Sequence, residues 1–148
     1  MTTTEAREYM CPVCQVDPTS HSFRKLRGNL DADGLAVFYT CPSQATKYQD
    51  VDGIIAHYEG MLSDHQGKPW IWILDGQGFG LKHMTDTQVA FALVRFLNRY
   101  TTTLRKVIVI NPTWHIRGLY NILWPFLSDS WRQLVEFKEE SKQLDFHK

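Results

Sequence analysis

No run in this 148-residue chain approaches the ~18 consecutive apolar residues that a membrane span needs. Residues 1–9 are polar and lack the apolar stretch of a signal peptide. Neither sign of charge is in excess. Sixteen basic and sixteen acidic side chains give a formal net charge of zero, so no bulk field draws the protein to nucleic acid or to an anionic bilayer. Cysteine is scarce and odd in number, three in all, which argues against the disulfide framework of a secreted protein. The expectation is a cytoplasmic protein whose contact with membranes, if any, is peripheral and rests on local apolar surface. Nucleic acid is not an expected partner. Internal repeats and low-complexity segments are also missing.

Catalytic signatures are missing as well. There is no Gly-x-Ser-x-Gly elbow, and no Ser or Cys nucleophile stands beside a plausible base. Gly76-x-Gly78-x-Gly80 follows an apolar run, as the glycines of a dinucleotide site do. The next helix cap lies well beyond them, at Thr85, and no Lys-Ser/Thr follows, so a phosphate cradle is not expected. Cys11-x-x-Cys14 would supply two thiolates to zinc, but completing a tetrahedron calls on His21 and Cys41, an irregular set without a second Cys-x-x-Cys. The reading is no metal, no cofactor and no enzyme. His57, on a predicted helix, reads as a half-exposed surface residue.

What the chain does have is apolar mass: 43% apolar and 13% aromatic residues, enough for one domain that buries roughly 70% of its unfolded surface. Residues 1–33 form an irregular segment, with Asp17-Pro18 and a basic patch of Arg24, Lys25 and Arg27. Leu35-Ala36-Val37-Phe38-Tyr39 suits a buried strand. A helix is predicted over 52–62 from the spacing of Ile54, Ile55, Tyr58, Met61 and Leu62, with Asp50 or Asp52 capping it. Residues 70–74 are a continuous apolar run of strand length ending at Asp75, whose carboxylate would organise the glycine-rich turn. Thr85 with Gln88 reads as a capping box for a helix presenting Val89, Leu93, Phe96, Leu97 and Tyr100. Val107-Ile108-Val109-Ile110 is the next strand, and residues 134–137 read as a short one. Alternation of strands and helices predicts an α/β layer structure with a mainly parallel sheet of four or five strands.

Between the last two strands lies the greasiest element, opened by Asn111-Pro112-Thr113-Trp114 and running to about Leu127. Its apolar residues, among them Trp114, Ile116, Leu119, Tyr120, Leu123 and Phe126, cover more of the helix than one packing face needs. Pro125 should kink its last turn. Such a helix is either walled in by protein or covers something apolar that is not protein.

The order of these features resembles the CRAL-TRIO lipid-binding domain. Asp75 with Gly78, Tyr100, Asn111 with Pro112, and Pro125-Phe126-Leu127 stand where that pattern has an Asp-x-x-Gly-like turn, a helix-ending Tyr, an Asn-x-Pro and a late Pro-Phe-Leu. Thr101 stands where the family usually has Pro. Pro112-Thr113-Trp114-His115-Ile116-Arg117 resembles the divergent BCH branch. The resemblance implies a CRAL-TRIO-like domain over residues 34–137, between the irregular segment and a charged tail at 138–148. It also implies that the greasy helix is a mobile gate. The implied function is non-enzymatic binding and transfer of a hydrophobic or phospholipid ligand between sheet and gate. Trp72 and Leu74 would form the pocket floor. Trp114, Ile116, Leu119, Tyr120, Leu123 and Phe126 would line the gate, and His115 and Arg117 would meet a head group. The BCH likeness implies an alternative, an interaction module engaging small GTPases, their regulators or itself, with Ile116, Leu119 and Tyr120 as docking patch.

Overall fold

The computed structural model describes residues 9–30, 35–65 and 67–138, with the side chains of 27–30 excluded. A short helix, α1 (Pro12–Val16), precedes the edge strand β1 (Arg24–Leu30). Then follow β2 (Ala36–Thr40), α2 (Val51–Asp64), β3 (Trp70–Asp75), α3 (Leu81–Met84), α4 (Thr87–Leu97) and β4 (Leu104–Ile110). The last elements are α5 (Trp114–Leu123), α6 (Asp129–Leu134) and β5 (Val135–Lys138). The sheet has five strands in the order β1-β2-β3-β4-β5. β1 runs antiparallel to β2, and the other three pairings are parallel.

That order places the site. Three successive parallel connections step in one direction across the sheet, and right-handed crossovers that step one way deliver their helices to one face. Phe38, Trp70, Trp72, Leu104 and Val107 therefore form a common core with Ile54, Tyr58 and Met61 of α2, Leu97 of α4 and Trp131 of α6. Val37, Tyr39, Ile71, Ile73, Ile108 and Ile110 make the opposite face, with Leu26 of β1. Burial on both faces is why β2, β3 and β4 are unbroken apolar runs rather than alternating ones.

Three differences from the sequence reading have local causes. The segment read as irregular contributes α1 and the strand β1, whose Arg24 and Lys25 pair with Tyr39 and Phe38. An edge strand of this polarity carries no apolar alternation to announce it. Thr85 does not open α4. Its hydroxyl donates back to the carbonyls of Leu81 and Lys82, closing α3, and Asp86 occupies the N-cap of α4. The greasy helix ends at Leu123, and Pro125 sits in a tighter 3-10 turn, Trp124–Phe126, as the missing amide of proline requires.

Candidate functional site

The carboxyl ends of β2, β3 and β4 converge on a polar hub. Asp75 accepts hydrogen bonds from the Tyr39 hydroxyl, the Gln77 amide (3.0 Å) and Asn111 Nδ2 (3.0 Å). Burial, followed by this carboxylate, pushes the Tyr39 phenol above its ordinary range. Asn111 is the only non-glycine residue at positive φ (48°) among the described residues, and asparagine tolerates that conformation better than most residues. Gly76 has no alternative there, because a Cβ would lie 2.8 Å from the Asn111 carbonyl oxygen. The glycine-rich segment is a structural turn, with Gly78 at φ 77° and the Phe79 amide donating to Gly76 O at 3.0 Å.

The hub anchors α5 at its start. Thr113 caps the helix by accepting the Ile116 amide, while its own hydroxyl donates to the Phe79 carbonyl at 2.8 Å. Gly118 lets Met84 of α3 approach closely, its sulfur 3.0 Å from where a Cβ would stand. The helix then crosses the sheet face with α4 beside it. Between sheet, α4 and α5 lies a cavity of about 180 Å³.

Its walls are almost wholly apolar. Trp72 and Leu74 of β3 form the floor, and Leu93 of α4 stands at the side. Ile116, Leu119, Tyr120 and Leu123 of α5 close it. The polar atoms at one end are largely spoken for. Thr40 Oγ1 accepts from Trp72 Nε1 at 2.9 Å and lies 3.1 Å from the Tyr58 hydroxyl. Burial raises the Tyr58 phenol above its ordinary value. His83 Nδ1 accepts the Gly80 amide at 3.0 Å, and burial lowers the pKa of its ring. Asp86 Oδ2, buried at the same end, has no hydrogen-bond partner.

Six of the eight apolar candidates thus line one cavity. Trp114 and Phe126 do not: they are 90% and 66% exposed. Trp114 is the first residue of α5 and Phe126 lies beyond its last turn, so neither shares the inward stripe. His115 and Arg117 are not cavity residues either, and the Arg117 guanidinium lies over the Phe137 ring at 4.9 Å. The docking patch drawn from Ile116, Leu119 and Tyr120 is not a surface, since Ile116 and Leu119 are buried. Sequence reasoning missed Val89, Ala90 and Val94 of α4 as cavity residues, although their spacing on α4 carried the signal.

An open, mainly parallel sheet with an apolar cavity beneath helices on one face defines a class of small α/β domain built around an interior void. Residues 29–148 match the CRAL/TRIO domain family, and the chain belongs to it. In fold it is similar to the crystal structure of Sfh5, with a TM-score of 0.65 and 16% identity over 88% of this chain and 51% of that one. The chain thus spans about half the length of that neighbour. No curated protein matches it in sequence. No helix among the described residues is long and apolar enough to cross a membrane.

Proposed function

We propose that the protein binds a hydrophobic or phospholipid ligand reversibly, without chemistry, between its sheet and α5, and passes it between membranes. The observation that carries this reading is the apolar cavity of about 180 Å³ in a member of the CRAL/TRIO family. An apolar void of this order stays dry and accepts small hydrocarbons. It is below the roughly 300 Å³ at which sites for drug-sized ligands begin, so a whole acyl chain requires α5 to move outward. The helix is built for that. Thr113 holds its start, Pro125 ends its regular hydrogen bonding, and its outer side already exposes Trp114 and Ile122, with Trp124 and Phe126 just beyond. These side chains suit transient insertion at a bilayer interface, where amphipathic aromatics are favoured.

Native mass spectrometry of the full chain is expected to show co-purified lipid, or uptake from phosphatidylcholine vesicles. Leu123→Arg, at the cavity wall, should abolish uptake while leaving the fold intact. A protein that stays lipid-free with vesicles, or a Leu123→Arg variant that loads normally, rules the proposal out.

The second reading is a BCH-type interaction module that engages a small GTPase, a regulator or another copy of the chain. The exposed Trp114 and Phe126 favour it, because isolated large aromatics on a surface often anchor interfaces. Under this reading Trp114→Ala would abolish partner binding and leave lipid content unchanged. Under the carrier reading the same variant slows transfer from vesicles without emptying the cavity.

A further inference from the structure

We propose that Cys11, Cys14, His21 and His57 hold one zinc ion that fastens the amino-terminal segment to α2. Their donor atoms all lie within 4.8 Å of one another and all four side chains are buried. Zinc in a tetrahedral site, with bonds of roughly 2.3 Å to sulfur and 2.0–2.1 Å to nitrogen, sets its ligands about 3.3–3.8 Å apart. His21 Nδ1 already stands 3.4 Å from Cys11 Sγ and 3.5 Å from Cys14 Sγ. Only modest contraction separates the cluster from a closed Cys2His2 site, which with four protein ligands is structural rather than catalytic.

The proton assignments point the same way. His57 Nε2 donates to the Phe23 carbonyl at 2.8 Å, which leaves the Nδ1 lone pair, buried and without a hydrogen-bond partner, as the atom this ring can offer a metal. His21 Nε2 donates to Asp50 Oδ2 at 3.0 Å, so its Nδ1, beside both sulfurs, is an acceptor. A histidine that gives its outer N–H to a carboxylate or carbonyl is the usual outer shell of a zinc ligand. Asp50 is held for this by its other oxygen, which caps α2 at the Gly53 amide. A Cβ at position 53 would fall 2.0 Å from Asp50 Oδ2, so a larger residue there would displace the carboxylate from this position. A groove of about 430 Å³, lined by Tyr9, Cys14, His21 and His57 among others, gives access.

The assignment differs from the set that the spacing suggested. Cys41 is engaged elsewhere, near Ser43 Oγ and the Gln77 carbonyl, and the fourth ligand is His57, which is buried rather than half-exposed. Three of the ligands precede residue 29, where the family match begins, and the fourth sits on α2. The ion therefore joins this chain's own extension to its domain.

The test is metal analysis of the full chain, expressed with zinc and purified reduced without chelator. About one zinc per chain is expected, falling to under about one-tenth in Cys14→Ser, as loss of a ligand from a four-coordinate site requires. Replacement by cobalt should give the visible bands of a tetrahedral site and thiolate charge-transfer absorption, a readout that needs no variant to fold. Asp50→Asn keeps the helix cap and should weaken zinc binding by about 10–100-fold. Substoichiometric zinc together with no tetrahedral cobalt spectrum overturns the proposal. So does metal retained at full occupancy in both Cys14→Ser and His57→Ala.

Discussion

Asp75 accepts more hydrogen bonds than any other carboxylate among the described residues. Its partners come from three different strand ends: Tyr39, Gln77 just past β3, and Asn111 just past β4. Removing the Tyr39 hydroxyl with Tyr39→Phe loses one bond to a charged acceptor and should cost about 1.5–3 kcal/mol in urea unfolding. Asn111→Ala loses a similar bond and also leaves alanine at φ 48°, which adds about 1–2 kcal/mol. The expected ranking is Asn111→Ala more destabilising than Tyr39→Phe. Equal effects would show that the left-handed backbone is not strained in the variant. The organising role of Asp75 was legible because a carboxylate at a strand end before glycines has few other uses. His57 as the fourth member of the cluster with Cys11, Cys14 and His21 was not, because it is 43 residues beyond Cys14 and only folding makes them neighbours.

At the scale of elements, α4 and α5 both turn an inner face to a void instead of a filled core. The inward stripe of Ile116, Leu119, Tyr120 and Leu123 follows from spacing alone, and its end residues escaped that rule because a stripe has no meaning past the last turn. The strands were readable as unbroken apolar runs, whereas β1 and the α3/α4 boundary were hidden by polarity and by two competing caps, Thr85 and Asp86. Filling the space under α5 should stabilise the protein. Ala90→Leu projects three further carbons into the cavity wall, each buried methylene being worth ~0.8 kcal/mol. A gain of about 1–2 kcal/mol is expected once side-chain ordering is subtracted, accompanied by loss of lipid uptake. Thermal unfolding measures the first and vesicle loading the second. A lower melting temperature in Ala90→Leu would mean that the region is already full.

For the molecule as a whole, buried histidines make acid the natural stress. His65 lies between Lys25 Nζ and the Pro69 carbonyl. Burial is the main cause of its lowered pKa, with Lys25 and Lys68 adding to it. His83, in the cavity wall, is lowered by burial and then by Lys82. Both are therefore neutral in the fold at pH values where the unfolded chain, with ordinary histidines near pKa 6.5, has begun to take up protons. More protons bound to the unfolded state means that stability rises with pH. Stability contributed by these neutral rings is thus complete above about pH 6.5 and declines as pH falls below that value. The carboxylates with lowered pKa, Asp17 and Glu136, act only in a separate window below about pH 4.5. Urea midpoints measured from about pH 7.5 to about pH 5 should fall well before the carboxylates titrate, and more shallowly in His83→Gln, which cannot take up a proton. Zinc release would steepen the wild-type curve, so the comparison is made at saturating zinc, where the difference between the two proteins isolates His83. Parallel curves would show that His83 charges as readily in the fold as in the unfolded chain, and that the polar end of the cavity is open to water.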